Sequence, residues 1–226
     1  MQLYHGSEHV IEYPQPWLGR KQNDYGQGFY CTKAQKIACE WAVLHNSNGF
    51  INEYRLDEEG LNILDLLNGD YNILNWLALL LKNRIFRIDN EAALQAKSFI
   101  LQNFSVSCDD ADIIIGYRGD DSYFSVASAF LNNELSLTGF EQAMKLGSLG
   151  EQIFIKSRQA FNGLEYIESS PVFADEYYPL WVKRDISVRT SFNKMEGIFK
   201  NDTYIADIVH SDWRNDDERL QRIVRI

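Results

Sequence analysis

Cysteine, proline and positive charge are all in short supply. The chain has 3 cysteines and 4 prolines in 226 residues. An odd cysteine count, with Cys31, Cys39 and Cys108 at no metal-like spacing, excludes a disulfide framework and a zinc-knuckle pattern. Cys31 and Cys39 read as small packing residues in a reducing compartment. Lys and Arg number 22 against 32 Asp and Glu, a net charge of −10. Such a surface repels phosphate backbones and anionic bilayers, and no Lys/Arg run offsets it, so non-specific nucleic-acid binding is disfavoured. The most hydrophobic stretch, Ile73 to Leu81, is too short to span a bilayer and contains Asn75. Met1 to His5 reads as a strand rather than an apolar leader. A soluble, cytoplasmic protein with no membrane partner is the expectation. No repeat or low-complexity linker interrupts the chain, and 45% hydrophobic with 24% charged residues is the balance of a globular protein.

The patterning predicts mixed elements. Gln2 to Gly6 reads as a strand, and Asp24 to Thr32 as a glycine-rich turn entering a short strand. Thr32 with Gln35 forms a capping-box pattern, and Ala34, Ile37, Ala38, Trp41 and Ala42 give a helical apolar face. Phe50 to Leu56 alternates as a half-buried strand. Helices are expected from a cap at Asp70 to about Asn83, from Glu91 to Gln102, from Ser122 to Asn132, and from Thr138 to Leu146 with a Thr138…Glu141 capping box. Asp112 to Tyr117, Gln152 to Lys156 and Leu164 to Ile167 read as strands, the last two flanking a helical turn at Gln159 to Phe161. Past Pro171 the chain is charged and aromatic-rich, with a helical spacing running to Val224. Without regular strand–helix alternation the fold class is α+β, with a domain over residues 1–170 and a helical C-terminal extension over 171–226 packed on it.

Several chemistries are missing. There is no GxxxxGK[ST], GxGxxG, HExxH or GxSxG pattern, and Gly26-Gln-Gly28 is followed by Phe-Tyr-Cys rather than by a helix-opening glycine. Asp109/Asp110 and Asp120/Asp121 read as solvated capping acids at turns. What stands out is the opening Leu3-Tyr4-His5-Gly6-Ser7, followed by Gly26-Gln-Gly-Phe-Tyr30-Cys-Thr32. A histidine at a strand end beside glycine suits hydrogen bonding to a sugar hydroxyl or an amide, but taken alone it reads first as satisfying a nearby backbone carbonyl.

The combination resembles the ADP-ribosyltransferase superfamily, in the branch carrying a His–Tyr–Glu set that includes the diphtheria-toxin-like and poly-ADP-ribose polymerase enzymes. The chain as a whole is similar to a bacterial family, domain of unknown function 3990, through Leu3 to Ser7, Gly26 to Thr32, Trp41-Ala42, Gly116 to Phe124 and Glu151 to Phe161. The resemblance implies a split antiparallel β-sheet core with surrounding helices, and NAD as the substrate with no metal. His5 would bond a ribose hydroxyl, and the Gly6 backbone, beside Ser7, would hold the nicotinamide amide. Tyr30 and Trp41 would sandwich the nicotinamide ring. Ala38 stands where polymerase-like members have a serine, which weakens that clamp. Gln152 stands at the position of the catalytic acid, with Glu151 directly before it. Neighbours in a strand face opposite ways, so only one of them can serve. Arg118 either holds the pyrophosphate of NAD or pairs with Asp120 or Asp121, which cap the following helix; Asp120 could also position an acceptor.

The implied activity is transfer of one ADP-ribose from NAD to an unidentified acceptor, macromolecular or small. Small bacterial proteins of this kind are often toxins or defence effectors, and a regulatory partner protein fits that setting. The alternatives are NAD hydrolysis, with water as acceptor, and a binding module that kept the fold without the acid.

Overall fold

The computed structural model describes residues 1–88, 90–119, 121–146, 151–195 and 202–223. Seven strands and nine helices are assigned among the described residues. The strands are β1 (Gln2–Ser7), β2 (Phe29–Cys31), β3 (Gly49–Leu56), β4 (Ile63–Asp65), β5 (Ile113–Gly116), β6 (Gln152–Ile155) and β7 (Leu164–Val172). The helices are α1 (Gln35–Ala42), α2 (Ile73–Asn83), α3 (Glu91–Asn103), α4 (Asp121–Leu131), α5 (Leu137–Met144), α6 (Arg158–Asn162), α7 (Ala174–Met195), α8 (Ile205–His210) and α9 (Glu218–Ile223). The class is α+β. No helix among the described residues is long and apolar enough to cross a membrane.

The chain divides into two compact units. The first comprises Met1–Asp65, Cys108–Arg118 and Leu149–Ile186, and holds both sheets. One sheet is antiparallel in the order β1-β3-β7, and the other runs β2-β6-β5-β4. The expectation of a wholly antiparallel core is corrected at β4, which pairs in parallel with β5. A parallel pair needs a long crossover, and the chain between Asp65 and Ile113 supplies one through α2 and α3. The two sheets meet where Tyr4 of β1 bridges Thr32 just past β2, through Tyr4 N–H to Thr32 O at 2.8 Å and Thr32 N–H to Tyr4 O at 3.0 Å.

The core of this unit includes Leu3, Cys31, Tyr54, Leu56, Ile113, Ile153 and Ile155, all under 2% exposed, and β5 and β6 are buried on both faces. Pro171 sits inside β7, pairing with Phe50, which is tolerable because β7 is an edge strand. Helix α1 lies directly on the first sheet. A Cβ on Gly6 would stand 1.8 Å from the Ala38 carbonyl oxygen, and one on Gly49 would stand 2.2 Å from that of Ala42. At both positions only glycine leaves room for the helix backbone.

The second unit, Leu66–Ser107, Gly119–Ser148 and Ser187–Ile226, is helical. Its core includes Trp76, Leu77, Leu80, Ile100, Phe104, Phe130 and Phe140.

Helix starts depart from the sequence expectations by up to two residues, at α2 and α5 because a different side chain reaches the free N–H groups. Asn72, not Asp70, caps α2 in a reciprocal box with Asn75. Ser136, not Thr138, caps α5 through Gly139 N–H at 3.1 Å. Thr32 lies too early to cap α1; its Oγ1 accepts from Ala34 N–H at 3.1 Å, and Ala34 takes the cap position with no side-chain bond. Asp120, proposed as a cap or acceptor-positioning group for α4, lies outside the described residues, as does Val224.

Candidate functional site

His5 is the best-defined member of the set. Strand β1 carries it opposite Asn52 of β3. Its Nδ1 stands 2.7 Å from the Tyr30 carbonyl oxygen, which can only accept, so Nδ1 carries the proton and Nε2 presents a lone pair. Burial pushes the imidazole pKa below its ordinary value, partly opposed by the bond to Tyr30, so the ring is held neutral. The ring packs on Phe29 at 4.4 Å. His5 thus meets the main chain of Tyr30 and the side chain of Phe29, rather than the Tyr30 ring.

The next two residues are committed to structure. Gly6 admits the α1 backbone, as described. The Ser7 hydroxyl donates to the His9 carbonyl and accepts from Asn52 Nδ2 at 3.3 Å.

Tyr30 closes the glycine-rich turn that precedes it. Its hydroxyl donates to Gly26 O at 2.6 Å and accepts from Tyr25 N–H at 3.0 Å. Its ring lies 4.8 Å from Phe154 and stacks with Tyr25 at 6.3 Å. At 9% exposure the ring is inside the unit.

Register fixes which neighbours share its face. Tyr30 pairs with Phe154, so these two and Gln152, two residues along β6, project from one side of the sheet. Gln152 is 6% exposed, and its Oε1 is buried with no hydrogen-bond partner among the described residues. Glu151 precedes the strand and is directed elsewhere: its carboxylate meets Lys33 Nζ at 2.8 Å, with both side chains more than 40% exposed. Of the two residues that compete for the acid's position, Gln152 is the buried one.

Trp41, on α1, is half-buried, and its Nε1 is a buried donor with no partner among the described residues. The Arg118 guanidinium lies over its ring at 4.4 Å. The structure therefore brings Arg118, from the loop after β5, onto the aromatic face that the resemblance assigned to nicotinamide. Ala38 is fully buried and supplies nothing polar.

Asn52 is a residue that sequence reasoning passed over. It is fully buried on β3, where alternation made it look like an ordinary strand residue. Its Oδ1 accepts from Ile11 N–H at 2.8 Å and Ser169 Oγ at 2.7 Å. Its Nδ2 donates to the carbonyls of His5 and His9 at 3.2 and 3.3 Å. The His5 backbone and the loop that follows β1 are both pinned to this one amide. Only its polarity at an inward position of the alternation could have flagged it.

The chain belongs to the family described as protein of unknown function (DUF3990), whose model matches residues 1–166. No curated protein and no solved structure matches it.

Proposed function

We propose that this protein binds NAD and transfers a single ADP-ribose to an acceptor. The observation that carries the reading is the buried Gln152 Oε1, an acceptor without a donor among the described residues, on the face that bears Tyr30. Leaving such a group unmade costs about 1–3 kcal/mol, and a ribose hydroxyl would satisfy it. His5 Nε2 accepts from a second ribose hydroxyl, and its neutral state keeps positive charge away from the reacting ribose.

In the transfer step the bond between ribose C1′ and the nicotinamide nitrogen breaks, and nicotinamide leaves with the bonding pair. A lone pair of the acceptor forms the new bond to C1′, and the acceptor's proton passes to solvent. For nicotinamide to stack on Trp41, the Arg118 guanidinium must leave the ring, and it is then placed to meet the pyrophosphate. The amide of Gln152 hydrogen-bonds but carries no charge against the oxocarbenium-like ribose, so transfer is slow. That same neutrality favours, as the second reading, a module that binds NAD without cleaving it.

Proton NMR of the purified protein with NAD tests both. The first reading expects free nicotinamide to accumulate over hours and to be lost in His5→Ala. Line broadening of NAD without release leaves the binding module, and neither signal refutes NAD as the ligand.

A further inference from the structure

The loop between β1 and β2 is held at both ends. Ile11 is fixed by Asn52 and by the Tyr54 hydroxyl, which donates to its carbonyl. Gln27 Nε2 donates to the carbonyls of Trp17 at 2.6 Å and Gly19 at 2.9 Å. Gly19 lies against Gly28, where a Cβ would come within 2.3 Å of the Gly28 oxygen. Between these anchors stand Pro14 and Pro16, which restrict their own φ and push Tyr13 and Gln15 toward extended backbone. The loop is thus ordered without burying its rings: Tyr13 is 80% exposed and Trp17 59%.

Those rings border a cavity of about 550 Å³, whose far side is α6. Phe161 adds a third aromatic wall, and Glu12, Arg158 and Asn162 add polar groups. None of these three polar side chains makes a hydrogen bond or ion pair with any described residue, so Glu12 and Arg158 do not neutralise each other. The cavity lies apart from the Tyr30 and Gln152 face. Phe161 packs at 6.3 Å on Phe29, which projects from β2 on the side opposite Tyr30 and also carries the His5 ring at 4.4 Å, so the cavity is separated from Tyr30 and Gln152 but not from His5.

We propose that this cavity is a second site, one that binds a nucleoside monophosphate. Aromatic faces left in water suit a flat heterocycle, whose stacking is sequence-tolerant and substantial. A single uncommitted guanidinium suits one phosphate, by a bidentate contact. The Glu12 carboxylate repels phosphate and accepts from sugar hydroxyls, which sets the direction of the ligand along the cavity. The volume is that of a small-ligand site, and a net charge of −10 works against a polynucleotide. The inference does not rest on the NAD reading.

Calorimetric titration of the full chain with AMP, UMP, adenosine and ribose 5-phosphate tests it. Saturable AMP or UMP binding is expected, weakened at least tenfold by Trp17→Ala and by Arg158→Ala. Both residues are exposed, so both variants should fold, which circular dichroism checks. Adenosine should bind wild type and Arg158→Ala alike, because it has no phosphate to lose. Binding of AMP should also be unchanged in saturating NAD. Absence of binding by both monophosphates, affinity indifferent to both substitutions, or displacement of AMP by NAD would each overturn a separate nucleotide site.

Discussion

Replacing Gln152 with glutamate is the sharpest perturbation of the proposed transferase. The amide is 6% exposed and its Oε1 has no partner among the described residues, so Gln152→Glu keeps the shape and adds a charge where the proposed transferase would use one. A carboxylate about 4 Å from a developing unit positive charge gains about 1 kcal/mol in water and about 4 kcal/mol at an effective dielectric near 20. Burial of the position places it toward the second limit. Each ~1.4 kcal/mol is tenfold in rate, so nicotinamide release should rise several hundredfold, on the order of 10² to 10³. Burial also raises the pKa of the new carboxyl. The reactive form is ionised, so the gain should grow as pH rises from 5 to 8. Stability runs the other way: a carboxyl whose folded pKa is raised favours the fold at low pH, and the variant should lose stability relative to wild type as pH rises past the ordinary carboxylate range. Continuous NMR of nicotinamide release beside urea melts at each pH reads both trends. A folded Gln152→Glu protein that binds NAD yet releases nicotinamide less than fivefold faster than wild type refutes the assignment of Gln152 to the acid's position.

Other outcomes follow from the same geometry. Gly6→Ala would place a methyl 1.8 Å from the Ala38 oxygen, so urea denaturation should show at least about 3 kcal/mol lost, whereas Gly69→Ala, with nothing within 4 Å, should change stability by under about 0.5 kcal/mol. Asn52→Ala strands the partners of a fully buried amide and should cost about 3–4 kcal/mol, with faster hydrogen exchange in the segment after Ser7; unchanged exchange there would contradict its anchoring role. His5, held neutral by burial, binds its proton more readily in the unfolded chain. Stability attributable to it should persist above about pH 6.5 and fall below that until the depressed folded pKa is reached, a slope that His5→Asn removes.

Most strands of the first unit could be read from alternation and punctuation, because each is bounded by glycine or by turn residues. β4 escaped, since its three residues pair with a strand nearly fifty positions away and carry no alternation of their own. β7 runs past its expected end at Ile167 because an edge strand tolerates Pro171. Helix bodies were legible and their caps were not: Asp70 and Asn72, or Thr138 and Ser136, are chemically equivalent caps, and only backbone direction separates them. The same limit applied to Glu151 and Gln152. Period two guarantees that they diverge, but the choice between them depends on Lys33 reaching Glu151 and on Gly116 pairing with Gln152. The Arg118–Trp41 stack joins residues far apart in sequence, and no local pattern encodes it.

The junction between the two sheets has a mechanical consequence. β1 and β3 share a register six residues long, a ladder whose rungs carry load together. Across the junction stand the two reciprocal bonds of Tyr4 and Thr32, with the His5–Tyr30 bond beside them. The imidazole that the proposed function assigns to the ribose is thus held by one of the few hydrogen bonds that tie the first sheet to the second.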